Sequence, residues 1–340
     1  MNRTESKIKF VGLHAHSVAG SIFDAIGFPD AHMDFCYQNG GEALALTDHG
    51  NMNGLPYQVL HCKEMLAAGK EFKPIFGCEA YFIPSIDEWR EEYTKVMEDK
   101  KRSRSAKKDA QSGATVEDEG SSKKTQSVLR RRRHLVLVAQ NQTGLNNLFK
   151  LVSESYKSEN FYRYPRIDYK LLKKYGEGII ASSACLGGVY AGNYWENRED
   201  GDEAVLNAMR ETTKNMIDVF GDRWYAEIQW NNINEQHELN QHVIQVAKEF
   251  GVKLISTADS HYPNPEAWKD RELYKRLGWL GKSKPSYADE GSELPAGVEE
   301  IGYELYPKNG DQMWESYKQY SQEQGFEYED KVILDSIEET

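Results

Sequence analysis

Four short polar clusters carry the residue types a metal ion needs: His14-Ala15-His16, Asp48-His49, Glu79 and Asp259-Ser260-His261, each at the edge of an apolar, β-branched stretch. On an extended strand residues i and i+2 point the same way. His14 and His16 would therefore share a face, as would Asp259 and His261, and each pair could reach one cation. A single His-x-His is more often packing than ligation, but several such pairs at strand ends point to a metal site. Imidazole nitrogen with carboxylate oxygen is the donor set of divalent-ion hydrolytic centres.

Seven apolar segments have strand character and would hold these clusters: 8–14, 43–48, 73–83, 134–139, 178–184, 223–229 and 252–258. Residues 52–68, 144–156 and 234–250 have apolar positions at helical spacing. Strand alternating with helix predicts an α/β barrel or a doubly wound sheet. In a barrel the chemistry gathers at the C-terminal ends of the strands, where most of the clusters sit. His134 is the misfit, because it opens its strand instead of closing it. A strand running the other way, or a shifted boundary, would bring it to the same rim.

Residues 87–133 read differently, with almost no apolar content after Val96 and Met97. Such a stretch cannot bury enough surface to offset the entropy of ordering, and we read most of it as a disordered basic insertion. Between Lys95 and Arg133 there are 13 Lys/Arg and 6 Asp/Glu, a net +7, which leaves −19 for the remainder of a chain whose total is −12. A cationic arm on an acidic body is usually a solvated loop. The sharper reading is that Lys100–Lys108 and Arg130, Arg131, Arg132 and Arg133 attract a phosphate backbone near His134. Cys36, Cys62, Cys78 and Cys185 show no CxxC spacing, so reduced thiols are the default. The start of the chain has no long apolar run and nothing later approaches a membrane span, which predicts a cytoplasmic protein with no membrane partner.

The stretches Leu13-His14-Ala15-His16-Ser17, Ala45-Leu46-Thr47-Asp48-His49-Gly50-Asn51, Phe76-Gly77-Cys78-Glu79, His134 to Ala139 followed by Thr143-Gly144, Ser183-Ala184-Cys185-Leu186 and Asp259-Ser260-His261-Tyr262 together resemble the polymerase-and-histidinol-phosphatase (PHP) domain. More narrowly, they resemble the PHP domain of bacterial replicative DNA polymerase III alpha subunits, over residues 8–280. Gly144-Leu145-Asn146-Asn147-Leu148 and Glu227-Ile228-Gln229 with Asn234-Glu235-Gln236 favour that branch.

The resemblance implies a distorted seven-stranded (β/α) barrel with a trinuclear metal site and nine ligand positions: His14, His16, Asp24, His49, Glu79, His134, Cys185, Asp259 and His261. By the family pattern one ion takes His14, His16, Glu79 and Asp259, and a second shares Glu79 and adds His134 and Cys185. The third takes Asp24, His49 and His261. Many polymerase relatives have lost some of these groups, so a full set implies catalytic capacity. Asp24 departs most, one residue further from His16 than in the family pattern and with Ala25 in place of glycine. Asp48 is expected to orient an imidazole, and Glu79, His14 and Asp259 to lie at the reacting centre. His32, His61, His237 and His242 are expected to be packing or surface residues.

The implied cofactors are three divalent ions, Zn²⁺ first, with Mn²⁺ and Fe²⁺ compatible. Three dications against Asp24, Glu79, Asp259 and a Cys185 thiolate leave about +2, a pocket that attracts phosphodiesters, and a shared carboxylate can hold two ions roughly 3.5–4 Å apart for phosphate ester hydrolysis. The resemblance thus implies a metal-dependent hydrolase, foremost a 3′–5′ exonuclease proofreading DNA replication. Its partners would be a DNA 3′ end, polymerase core domains in cis or in trans, and other replisome proteins. Polymerase activity itself would be expected only if further domains are supplied. The alternatives are a non-catalytic structural module and a small-molecule phosphomonoesterase. The expected layout is a barrel domain over residues 1–284 and an acidic extension over 285–340, leading towards a polymerase.

Overall fold

The computed structural model describes residues 3–109, 128, 130–278 and 302–340. Eight strands form one curled sheet: β1 (Ala43–Leu46), β2 (Lys73–Phe82), β3 (Arg133–Ala139), β4 (Phe161–Tyr162), β5 (Tyr164–Ile167), β6 (Ile179–Ser182), β7 (Trp224–Gln229) and β8 (Lys253–Thr257). Strands β1 and β2 run parallel, as do β6, β7 and β8, whereas β3 is antiparallel to both its neighbours, β2 and β6. That single reversal accounts for His134. The start of β3 lies at the rim where the other strands end.

The ring closes through residues 12–16. Gly12 bridges Leu44 of β1, and Ala15 bridges Ser260 beyond β8, both in parallel sense. The amides of Ala45 and Thr47 donate to the carbonyls of Gly12 and Ala15, and that of His16 to the carbonyl of Ser260. Counting this segment with β1, β2, β3, β6, β7 and β8 gives the seven-membered barrel expected from the sequence. The expected strand over 8–14 is not regular, however. The segment passes between β1 and β8 and bonds to each at only a few points. The hairpin of β4 and β5 lies outside the ring, with β5 parallel to the end of β2.

Helices cover the outside because their apolar positions recur on one face. The helix Asp202–Phe220 buries Val205, Leu206, Met209, Met216 and Phe220, and Asn234–Phe250 buries Leu239, Val243, Val246 and Ala247. Gly251 ends the latter at φ 65°, a left-handed conformation that costs glycine little. The Asn141 side chain accepts from the Gly144 amide and starts Gln142–Ser155. These faces and the strands between them share one core that includes Leu135, Leu137, Trp224 and Ile228.

One expectation about layout needs correction. The insertion begins as a helix, Ile86–Asp109, anchored where Trp89 packs with Ile83, Ile86 and Val128. The Trp89 indole donates to the Val128 carbonyl. The few apolar residues at the two ends of the insertion are enough to fasten it; residues 110–127 lie outside the described residues. The C-terminal part packs onto the barrel. Ile333 and Ile337 from the helix Asp330–Glu338, and Met313 and Tyr317 from Gly310–Gln324, join the main core. The His261 and Tyr262 amides donate to the Leu305 carbonyl. The acidic stretch Tyr287–Glu300 lies outside the described residues.

Candidate metal centre

Every member of the ring sends a polar group to one rim. His14 and His16 come from the closing segment, His49 from just beyond β1, Glu79 from β2 and His134 from β3. Cys185 follows β6, Glu227 lies in β7, and Asp259 and His261 follow β8. Asp24 arrives from the loop after the closing segment. Three of the four non-glycine residues with positive φ among those described flank or supply ligands: Phe23 (65°), Ala184 (61°) and Asp259 (49°). Each such conformation costs of order 1–3 kcal/mol, and strain of this kind collects where geometry is imposed by function.

Glu79, fully buried, is the hub. Its Oε1 lies 3.2 Å from both His14 Nε2 and His134 Nδ1, and its Oε2 lies 2.5 Å from His49 Nδ1 and 3.7 Å from His16 Nε2. Asp259 Oδ1 sits 3.1 Å from His14 Nε2 and 3.2 Å from His16 Nε2. Asp24 Oδ2 lies 2.9 Å from His49 Nε2 and 3.4 Å from His261 Nε2. Cys185 Sγ is 3.6 Å from His134 Nδ1 and 3.8 Å from Glu79 Oε1. Three groups place ligand atoms within 4.8 Å of one another: His14 with His16 and Asp259, His49 with Glu79 and His134, and His16 with His49 and His261.

A metal site is recognisable by which nitrogens are already used. His14 Nδ1 is 2.7 Å from Glu227 Oε1, His261 Nδ1 is 2.7 Å from the Asp259 carbonyl, and His16 Nδ1 is 3.2 Å from Ser21 Oγ. The opposite nitrogens, Nε2 of His14, His16 and His261, are buried without a hydrogen bond among the described residues, as are His49 Nδ1 and Glu79 Oε2. Buried donors and acceptors rarely go unsatisfied, and one ring nitrogen tied down with the other turned inward is how histidine ligands are held. The residues present fit divalent ions.

The electrostatics follow from that crowding. Burial disfavours the charged imidazolium of His14, but the carboxylates of Asp259, Glu227 and Glu79 outweigh it and hold its pKa well above the ordinary value. His16 lies well below, through burial and then the neighbouring His49 and His261. Burial would raise Glu79, yet His134, His49 and His14 hold it well below the usual carboxylate range. Asp24 is low as well, since His261 and the Arg271 guanidinium overcome its burial; Arg271 Nη2 donates to Asp24 Oδ1 at 2.6 Å.

All nine sequence-designated positions thus converge, with two corrections to their supporting roles. Among the described residues Asp48 makes no direct hydrogen bond to an imidazole: it accepts from the Ser17 amide and from the Ser17 and Ser21 hydroxyls, and reaches His16 through Ser21. The carboxylate that grips an imidazole is Glu227, itself held by the Ser182 and Thr257 hydroxyls at 2.5 Å each. In sequence its run carries only a family mark; alternation along β7, which puts Glu227 on the buried inner face, is the signal that points to it. Asp259 and His261 do not share a face by strand alternation, because β8 ends at Thr257 and Asp259 is left-handed. A turn brings them together. His32 and His237 are packing residues, bonded to the Ile26 carbonyl and to Tyr328 and Asn231; His61 lies beside Asp34 and Glu64, and His242 near Asp202.

The family model described as the PHP domain matches residues 12–231. The chain belongs to the PHP family. Among curated proteins it is 34% identical to the DNA polymerase III subunit alpha of Aquifex aeolicus over 329 residues, 97% of this chain and 24% of that protein. It is 33% identical to the subunit of the same name from Borreliella burgdorferi over 79% of this chain and 19% of that protein. The PHP chain therefore spans about a quarter or less of the length of these relatives. Among solved structures, a proposed metal-dependent phosphoesterase from Bifidobacterium adolescentis aligns over 80% of this chain and 98% of its own at 10% identity, with a TM-score of 0.42. No helix among the described residues is long and apolar enough to cross a membrane.

Proposed function

We propose that this PHP chain is a metal-dependent phosphodiesterase that removes nucleotides from a DNA 3′ end in the service of replication. The observation that carries the reading is Glu79, buried at the hub with each oxygen facing two imidazoles, where one carboxylate could serve more than one ion. In the proposed arrangement His14, His16, Glu79 and Asp259 would hold one ion, Glu79, His134 and Cys185 a second, and Asp24, His49 and His261 a third. Zn²⁺ suits the mixed N, O and S donors, and Mn²⁺ and Fe²⁺ are compatible with them. Bound ions would supply Lewis acidity toward a phosphoryl group and toward water.

The chain's own part is placement. Glu227 fixes the His14 tautomer so that Nε2 faces inward, and Ser182 and Thr257 fix Glu227. Asp48 keeps Ser21 between His16 and the His49 amide. Arg271 keeps Asp24 ionised and aimed at His49 and His261. Similarity over nearly the whole chain to replicative polymerase subunits supports a DNA substrate over a small phosphomonoester.

The test is a 5′-labelled single-stranded oligonucleotide incubated with Zn²⁺ or Mn²⁺. A ladder shortening from the 3′ end, absent in Glu79→Gln, supports the reading. Hydrolysis of p-nitrophenyl phosphate with an intact oligonucleotide would favour the phosphomonoesterase, and no hydrolysis of either the structural module.

A further inference from the structure

The four consecutive arginines that lead into β3, the last of them its first residue, are not equivalent. Arg131 makes a two-point ion pair with Glu92 at 3.0–3.2 Å, and Arg133 pairs with Glu196. Arg132, between them, turns the other way, as alternation along an extended chain requires. It thereby shares a side with His134, two residues on. Register confirms the placement: His134 lies opposite Tyr81, which is two residues from Glu79 on the same face of β2. The Tyr81 ring lies 5.6 Å from that of His134 and 6.1 Å from that of His49.

The Arg132 guanidinium carbon is 3.8 Å from the centre of the Tyr164 ring and 5.4 Å from that of Tyr81. Its Nε is buried without a hydrogen bond, its Nη1 reaches only the Arg130 carbonyl at 3.4 Å, and no carboxylate pairs with it among the described residues. A half-buried cation beside a ligand cluster normally finds a carboxylate; this one is held flat on an aromatic ring with its fork unspent. A planar fork stacked on tyrosine is suited to two oxygens of one phosphate.

We propose that Arg132, positioned by Tyr164 and Tyr81, receives a backbone phosphate of single-stranded DNA at the mouth of the metal centre and so makes the site selective for polymeric diesters. This rests on the phosphodiesterase reading and refines it. Of the basic run, Arg131 and Arg133 are paired with Glu92 and Glu196, and Arg132 is the one whose guanidinium lies on the rings beside His134. The Tyr81 and Tyr164 rings, of which Tyr164 comes from the hairpin outside the ring, provide the adjoining wall.

The experiment compares wild type, Arg132→Gln and Arg132→Lys in the full chain. Anisotropy of a fluorescein-labelled single-stranded DNA is measured without turnover in EDTA, alongside kcat/KM with Mn²⁺ on the same oligonucleotide and on p-nitrophenyl phosphate. Losing a charge-assisted phosphate contact should weaken DNA binding about 10- to 100-fold and lower the slope of log affinity against log salt by about 0.7. The loss in kcat/KM should be at least about tenfold greater on the oligonucleotide than on the small ester, and Arg132→Lys should recover the salt slope but not the full affinity. Unchanged DNA binding, with or without a lower melting temperature, would overturn the proposal, as would equal losses on both substrates. If the wild type binds DNA but releases no nucleotide, the nuclease reading fails while the binding comparison still decides the role of Arg132.

Discussion

Glu79 and Glu227 divide the work of the carboxylates, one facing imidazole nitrogens meant for ions and the other orienting His14 from behind. Glu79→Gln and His14→Ala should each lower hydrolysis by orders of magnitude while circular dichroism shows the barrel intact, since the apolar core is untouched. Glu227→Gln should act more mildly, weakening metal affinity or activity about 10- to 100-fold, as loss of an orienting partner typically does. A chelator competition assay checks it; a variant equal to wild type would leave Glu227 merely structural. The pH dependence has a definite sign. Burial opposes the charge on His14, but Asp259, Glu227 and Glu79 hold its proton to a pH well above the ordinary imidazole value. An ion must displace that proton, so metal affinity should rise as pH rises through the raised pKa and fall below it, with protons released on binding. Calorimetry in buffers of different ionisation enthalpy measures that release.

At the scale of elements, the anchored start of the basic insertion gives a second expectation. Trp89 packs against Ile83, Ile86 and Val128 in a cluster separate from the main core. Trp89→Ala should loosen the helix Ile86–Asp109 by about 3–5 kcal/mol locally, while the barrel's own melting changes little. Limited proteolysis should then cut within that helix faster than in wild type. How legible the elements were follows from the same physics. Strands β2 and β3 were visible because their apolar runs are long, and Asn234–Phe250 because its apolar positions recur at helical spacing. The irregular closing segment was not, because local pattern does not say that residues 12–16 must serve two neighbours at once. Nor was the anchoring of the insertion: Trp89 and Val128 are distant in sequence and meet only in three dimensions. The ligands His14, His49 and Glu79 were legible because each ends or interrupts an apolar run, whereas Asp24 and Cys185 were found only by likeness to the family. The helper Glu227 lay in a known strand but carried no motif of its own.

For the whole molecule, the ring brings nine donors from six segments and an adjoining loop to one rim, and a turn and three left-handed residues hold them there. Ions that bind only the folded chain stabilise it, so EDTA should lower the melting temperature and added Zn²⁺ or Mn²⁺ should restore it. The central claim is that this rim is a polynuclear metal centre built around Glu79. Native mass spectrometry after mild purification under zinc- and manganese-replete conditions tests it most directly. Close to three divalent ions per chain are expected in the wild type and fewer in Glu79→Gln. One ion or none in the wild type would contradict it.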